Sequence, residues 1–200
     1  MSWTPPVHTL LCPITGADGQ LIESIVFRPF THGAHAEALA RAGADEDDRY
    51  IQLAQLATGL PEAVLDSFKR PDFLTVTGWV NDWIWSTSMD LLDKVKRDAD
   101  GKELEEVGQD GDEVPLLMPI EVMGVRHESL TLTMPALKAT RMMKKQKTGD
   151  DRTNFITAHC TGLMVADLAL LSVPDWNQLQ KRIDTFLNKP AAFFQNATSK

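Results

Sequence analysis

The chain spells out most of its structural signals twice, and that repetition limits what it can fold into. Leu10-Leu11-Cys12-Pro13-Ile14 returns 106 positions later as Leu116-Leu117-Met118-Pro119-Ile120, and Gly19, Glu23 and Ser24 return as Gly124, Glu128 and Ser129. From Asp47 onward the offset settles at 103. Asp47, Asp48, Arg49, Thr58, Gly59, Leu60, Ala63, Leu65, Pro71 and Asp72 are matched there by Asp150, Asp151, Arg152, Thr161, Gly162, Leu163, Ala166, Leu168, Pro174 and Asp175. These are ten identities in 38 ungapped positions, where ordinary residue usage gives about two by chance. The offset changes only in a turn and in the loop before Asp47, where insertions cost little. Two copies are too few for a solenoid, which leaves two similar small domains or one pseudo-symmetric pair. The expected organisation is therefore a first copy over 1–86, an acidic linker over 87–113, and a second copy over 114–200 that ends in a C-terminal tail.

Each copy has the same local grammar. It opens with a short apolar segment and a turn (Thr15-Gly16-Ala17-Asp18-Gly19-Gln20 in the first), where Gly supplies the positive φ a hairpin needs. The return strand alternates, with Ile25 and Phe27 on one face and Ser24, Val26 and Arg28 on the other; Leu130 and Leu132 repeat this against Ser129, Thr131 and Thr133. Pro29 and Pro135 close the strands, and first helices are expected over 32–42 and 136–147. Asp47-Asp48 and Asp150-Asp151 mark the start of second helices, where capping and negative charge are favoured. Gly59 and Gly162 mark their ends. Pro61 suits the first position of a short third helix. In the fourth, Phe73, Val76, Val80, Trp83 and Ile84 trace one stripe of a 3.6-residue helix, matched by Trp176, Leu179, Ile183, Phe186 and Leu187. Between the copies a short helix is expected over 89–95, followed by a polar, glycine-containing flexible run. The fold class is α+β and helix-dominated: two modules, each a β-hairpin followed by about four short helices.

Composition narrows the function. A hydrophobic fraction of 43% suits a globular chain, while each copy alone is near the size at which a core is marginal, so burial between copies or in an oligomer is expected. No stretch approaches the ~20 apolar residues of a membrane span, and Met1-Ser2-Trp3-Thr4-Pro5-Pro6 lacks the pattern of a signal peptide. A cytosolic protein is expected, with Cys12 and Cys160 as reduced core thiols. The net charge of −8 divides as −6 over residues 1–85, −6 over 86–115 and +4 over 116–200. An acidic chain without a basic arm is a poor nucleic-acid binder, whereas copies of opposite sign favour contact with each other or between chains.

Catalytic signatures are missing. His32 and His35 stand at i, i+3, but Leu137 and Thr140 replace them in the second copy and no acidic or thiol partner sits at ligand spacing, so they read as surface histidines. Asp45-Glu46-Asp47-Asp48 reads as helix capping rather than a Ca²⁺ site or an acid–base pair. Gly16-Ala17-Asp18-Gly19 lacks the lysine of a phosphate loop. His159, between Ile156 and Leu163, reads as a core histidine, and Glu23/Glu128 with Ser24/Ser129 read as polar shielding of a strand surface. The repeated residues are caps, turns and core positions, which specify a fold, and neither an enzyme nor a cofactor is expected.

The module resembles a family. An apolar-Pro-Ile strand, a turn, a strand ending near Glu-Ser-(Ile/Leu), a helix opening at Asp-Asp, then Thr58-Gly59-Leu60-Pro61 and Pro71-Asp72-Phe73 are similar to the small tail assembly chaperones of Mu-like and related contractile-tailed bacteriophages. The resemblance covers Val7–Trp85 well and Val114–Leu187 less well, because Met164 and Trp176 replace the Pro and the Phe. Usual members have one module; a tandem departs from the pattern. The resemblance implies a non-enzymatic protein of the host bacterial cytoplasm, made by a phage or prophage. It would bind the tape measure protein, with the tail tube protein as a further candidate, and stay out of the finished virion. It further implies no cofactor, and for many members a frameshift-extended second form. A structural or adaptor protein of a phage tail, or a general protein-interaction module, is the alternative.

Residues outside the shared pattern are candidates for contact. Trp79 and Trp85 on the fourth helix have polar counterparts, Arg182 and Asn188, so the common core does not need their rings. Either they meet a partner or they pack on the linker or the other copy. Phe193 and Phe194, after Pro190, pose the same choice. Lys138, Arg141, Lys144, Lys145 and Lys147 make the first helix of the second copy basic: either a solvated face or a surface for an acidic helix or a neighbouring copy.

Overall fold

The computed structural model describes residues 3–93, 95–105 and 108–195, and the chain divides into two compact units, one ending at Ser86 and the other beginning at Thr87. In the first, strands β1 (Val7–Thr15) and β2 (Leu21–Val26) form an antiparallel hairpin, followed by helices α1 (His32–Ala42), α2 (Glu46–Thr58), α3 (Glu62–Leu65) and α4 (Arg70–Trp85). The second opens with a short helix α5 (Ser88–Leu91) and continues with hairpin strands β3 (Asp112–Val122) and β4 (Val125–Leu132). Then come α6 (Leu137–Met143), α7 (Gly149–Thr161), a 3-10 helix (Val165–Leu170), α8 (Val173–Asn188) and α9 (Ala191–Gln195). The fold is α+β, helix-dominated, with a hairpin and its helices in the same order in each unit.

The caps explain the boundaries. Asp45 Oδ1 accepts from Asp48 N–H at the start of α2, and Thr148 with Asp151 forms a reciprocal capping box at the start of α7. Both helices end on a left-handed glycine, Gly59 (φ 70°) and Gly162 (φ 74°). Next to those glycines the return strand is tied down in the same way in each unit: Arg28 N–H donates to Ala57 O, and Thr133 N–H to Cys160 O.

The alternation read in the return strands is realised. Ile25, Phe27, Leu130 and Leu132 are buried, and so are Val76 and Val80 of α4 and Leu179 and Ile183 of α8. The first unit encloses an aromatic group in which Phe27 packs edge-on to Trp83 (5.6 Å between centroids) while Trp83 Nε1–H donates to Phe30 O at 3.1 Å. The second is built mainly of aliphatic residues around Leu132, Leu168, Leu179 and Ile183, with Trp176 and Phe186 packed against them from partly buried positions.

Five expectations require correction. Cys12 is exposed, because the strand does not alternate through it: Thr9 pairs with Ser24 and Ile14 with Ile22, so four residues bulge opposite Glu23 alone. His159 is exposed; the buried side of α7 carries Ile156, Thr157 and Cys160, and at 100° per residue His159 falls off that side. The helix expected over 136–147, α6, ends at Met143. There, i→i−3 bonds from Lys145 and Gln146 tighten the chain into a turn before the Thr148 cap. Pro61 is the N-cap of α3, one position outside the helix. The helix expected over 89–95 is the single turn of α5, closed by a Thr87–Asp90 capping box; Lys94 lies outside the described residues.

The acidic run read as a linker falls within the second unit. The backbones of Arg97 and Glu103 pair in an isolated antiparallel β-bridge across a turn anchored by Asp98, whose carboxylate accepts from the N–H groups of Asp100 and Lys102. Lys181 of α8 and Lys189, just past its end, pair with Glu103 and Glu105. Residues 106–107 and the tail from 196 onward lie outside the described residues.

Candidate partner-binding surfaces

The scaffold of both units rests on one device. The repeated Leu-Leu-x-Pro is a bulge, four residues opposite one glutamate in each hairpin: 10–13 against Glu23, and 116–119 against Glu128. Bulging strips backbone N–H groups of their ladder partners, and the repeated Pro-Asp at the start of the fourth helix supplies replacements. Asp72 is wholly buried and accepts from Leu11 N–H (3.0 Å) and from His8 Nε2 (2.8 Å). Asp175, also wholly buried, accepts from Leu117 N–H (2.7 Å), Met118 N–H (3.1 Å) and Ser172 Oγ–H (2.6 Å).

The two carboxylates differ in electrostatics. Burial works to raise Asp72, but the Leu11 N–H, His8 and the Cys12 N–H outweigh it and hold the carboxyl below its usual range. At Asp175 burial prevails over the donors from Ser172, Leu117, Met118 and Ser88, and the carboxyl is raised. This role was missed in the sequence, although a Pro-Asp pair repeated at 103 residues was its visible signal.

With the hairpin fixed to the fourth helix, a groove is left between the second and fourth helices of each unit. In the first unit its volume is about 490 Å³, and Tyr50 and Ile51 on α2 face Leu74, Thr77 and Asn81 on α4. The Tyr50 hydroxyl points to Asn81 Oδ1 at 3.5 Å. Glu46 and Asp47 line the α2 start and Arg70 the α4 start. In the second unit the groove between α7 and α8, about 320 Å³, is lined at the corresponding positions by Gly149, Thr153, Gln180 and Asp184. Here Gln180 Nε2–H donates to Thr157 Oγ1 at 2.9 Å. The two grooves differ in which positions are apolar: Tyr50, Ile51 and Leu74 line the first where the second copy has Thr153, Asn154 and Asn177, whereas the apolar lining of the second groove comes from Met143, Ile156, Ile183 and Leu187. A position-by-position comparison of the copies was the signal for these residues.

The sequence-derived candidates are dispersed over the two units. Trp79 is half-buried in its own unit, edge-on to His8 (5.5 Å) and to Phe27 (6.2 Å). At the same position in the second unit Arg182 meets Asp112 at 3.3 Å. Trp85 is 80% exposed and stands one turn beyond Asn81 on the same side of α4 as Leu74. Phe194 packs on Phe186 of α8 (6.2 Å) and on Phe193 (5.3 Å), and Lys189 Nζ lies 5.0 Å over the Phe193 ring. Lys138, Arg141, Lys144, Lys145 and Lys147 are all exposed, the first two on α6 and the others in the turn after it.

Chemistry at the histidines and thiols is local. His35 stacks on Phe30 (6.1 Å), and burial together with neighbouring His32 lowers its pKa. Burial pushes the Cys160 thiol up to about 11. No cluster of three or more His, Cys, Asp or Glu side chains able to hold a metal occurs among the described residues, and among them no helix is long and apolar enough to cross a membrane.

Residues 113–188 match the family described as phage tail assembly chaperone proteins, E, or 41 or 14. The match falls on the second unit, not on 7–85 where the resemblance was read as stronger, and it leaves Thr58-Gly59-Leu60-Pro61 and Pro71-Asp72-Phe73 outside. Comparison with curated proteins gives no match, and comparison with solved structures gives none.

Proposed function

From the match of residues 113–188 to the phage tail assembly chaperone family, we propose that this protein is a non-enzymatic tail assembly chaperone that binds the tape measure protein and keeps it soluble until the tail tube encloses it. The family match is the observation that carries this reading. Physically, a long helix with an exposed apolar stripe aggregates unless the stripe is covered. A chain with apolar residues left on its surface, among them Leu11, Leu74, Trp85, Met123 and Met164, is suited to cover one. Met and Trp are common in such surfaces, Met because it adapts its shape and Trp because it contributes much area at low entropic cost. The tail tube protein is a second candidate partner. The protein acts in the cytoplasm of the host bacterium, in a phage or prophage setting, is absent from the finished virion, and contains two chaperone-like modules in tandem.

The test is co-expression with the tape measure protein encoded in the same genome. The chaperone reading expects most of that partner to move from the pellet to the soluble fraction and to co-purify with this chain. An equally insoluble partner in the presence of well-folded chain would reject it. Mass spectrometry of purified tails separates the reading from the structural-protein alternative, since a structural component would be retained in stoichiometric amount.

A further inference from the structure

We infer that the groove between α2 and α4 is the docking site for one amphipathic helix of a partner protein, a helix whose apolar stripe is bordered by Lys or Arg at one end. The inference rests on the chaperone reading above and adds where the partner binds and what chemistry it presents.

Three observations meet there. The groove has a helical reading frame: Arg70, Leu74, Thr77 and Asn81 follow one another at spacings of 4, 3 and 4 along α4, and Trp85 continues the row. From Arg70 to Trp85 that row is about 22 Å long, enough for a partner helix of about 15 residues. Its apolar content exceeds what the fold needs. Tyr50, Ile51 and Leu74 are replaced in the second copy by Thr153, Asn154 and Asn177, on helices that share the left-handed glycine end of α2 and α7 and the Pro-Asp start of α4 and α8. Leu74 is 53% exposed and Trp85 80%, so the row presents large apolar side chains to water. Finally, the groove carries an acidic excess, with Glu46 and Asp47 at the α2 start against one lining cation, Arg70, at the α4 start. Glu46 and Asp47 are exposed at the α2 end with no ion pair among the described residues, in a unit of net charge −6 over residues 1–85. A helix whose apolar stripe ends in Lys or Arg satisfies that end; one ending in Glu is repelled.

Among the described residues, α6 has similar chemistry. On α6, Leu137 and Met142 are exposed beside Lys138 and Arg141. It is only seven residues long, about half the length of the row, which favours a longer partner helix over a second copy.

The experiment uses the full chain and two fluorescein-labelled helical peptides of about 18 residues. Both have Leu at i, i+3, i+4 and i+7, one with Lys and the other with Glu at the end of the stripe. The Lys peptide should bind at least tenfold more tightly. The triple variant Tyr50→Thr, Ile51→Asn, Leu74→Asn takes the residues of the second copy and should weaken it at least tenfold with an unchanged far-UV circular dichroism spectrum. The exposed pair Glu46→Gln, Asp47→Asn, which does not touch the core, should remove the preference between peptides. Undiminished binding by the triple variant, or a preference that survives the charge-neutral pair, overturns the site. Self-association abolished by Leu137→Glu, Met142→Glu, with a simultaneous gain in peptide binding, would instead make a second copy the occupant and also overturn it. The two readings fail separately. A triple variant that still solubilises the tape measure protein rejects this groove and leaves the chaperone function standing, whereas a wild-type chain that binds the Lys peptide but solubilises nothing rejects the function and retains the groove.

Discussion

Removing the Asp175 carboxylate should unfasten the second unit. In Asp175→Ala the N–H groups of Leu117 and Met118 and the hydroxyl of Ser172 lose their acceptor at once. Leu117 is itself buried, so water cannot fully replace the carboxylate at its N–H. Each stranded buried donor costs about 1–3 kcal/mol, and loss of the acid in the first turn of α8 adds about 0.5 kcal/mol. Against this, the carboxyl is raised by burial, so the mutant recovers part of a desolvation cost that the wild type bears. The balance is a loss of about 3 kcal/mol, a large share of the ~5–15 kcal/mol that holds a typical domain together. With a urea dependence of about 1–3 kcal/mol per molar, the midpoint of the second unit should fall by about 1–3 M. Urea titration would be followed at Trp176, the one tryptophan after residue 86, in a background where the tryptophans of the first unit are replaced by Phe. Asp175→Asn should lose most of the same stability, because one of its two positions then holds an amide donor facing N–H groups. A midpoint within 0.3 M (about 0.5 kcal/mol) of wild type for Asp175→Ala would refute the anchor.

Other consequences are quicker to check. Asp72 has a depressed carboxyl, so its contribution is complete above the unfolded carboxylate value of about 3.9 and is lost as pH falls through the lower folded value; the stability gap between wild type and Asp72→Asn, read from thermal midpoints, should shrink below about pH 4. One thiol per chain, Cys12, should react with a disulfide reagent at pH 8, and Cys160 only after unfolding, as its burial and a pKa of about 11 require. Trp79→Arg should lower the thermal midpoint of the first unit, at about 2 kcal/mol for a ring lifted off His8 and Phe27, while Trp85→Asn should leave it within ~0.5 kcal/mol. Met123, 88% exposed with φ 52° beside Gly124 at φ 76°, occupies a turn position that suits Asn or Gly, so Met123→Asn should raise the midpoint by about 0.5 kcal/mol.

How much was legible depended on whether a signal was local. Caps, left-handed glycines and the α4 and α8 stripes were readable because each is decided within four residues. The bulge was not, because Leu10-Leu11-Cys12-Pro13 looks like strand until the partner register shows four residues opposite Glu23; with it went the burial of Cys12. His159 was misplaced because apolar neighbours in sequence do not fix the angle of a residue on a helix whose apolar face is weak. Trp79 was legible as unneeded by the shared core, but not as packed, since its counterpart Arg182 fills the same place by pairing with Asp112. The groove was hidden for a different reason: nothing in Tyr50, Ile51 or Leu74 is unusual until the second copy supplies the control.

The aspartate anchor also bears on how two units with one plan can come to differ. Its bonds from the hairpin go largely to main-chain N–H groups, which every residue but proline possesses. The strand can therefore change its side chains at Leu11 and Leu117 without losing its place against the helix, and these two leucines already differ, one 70% exposed and the other 6%. Only proline is barred at either leucine, whereas Pro13 and Pro119 sit harmlessly two residues further on. Register is kept by the backbone, and the outer surface of each hairpin is left free to drift toward a new partner.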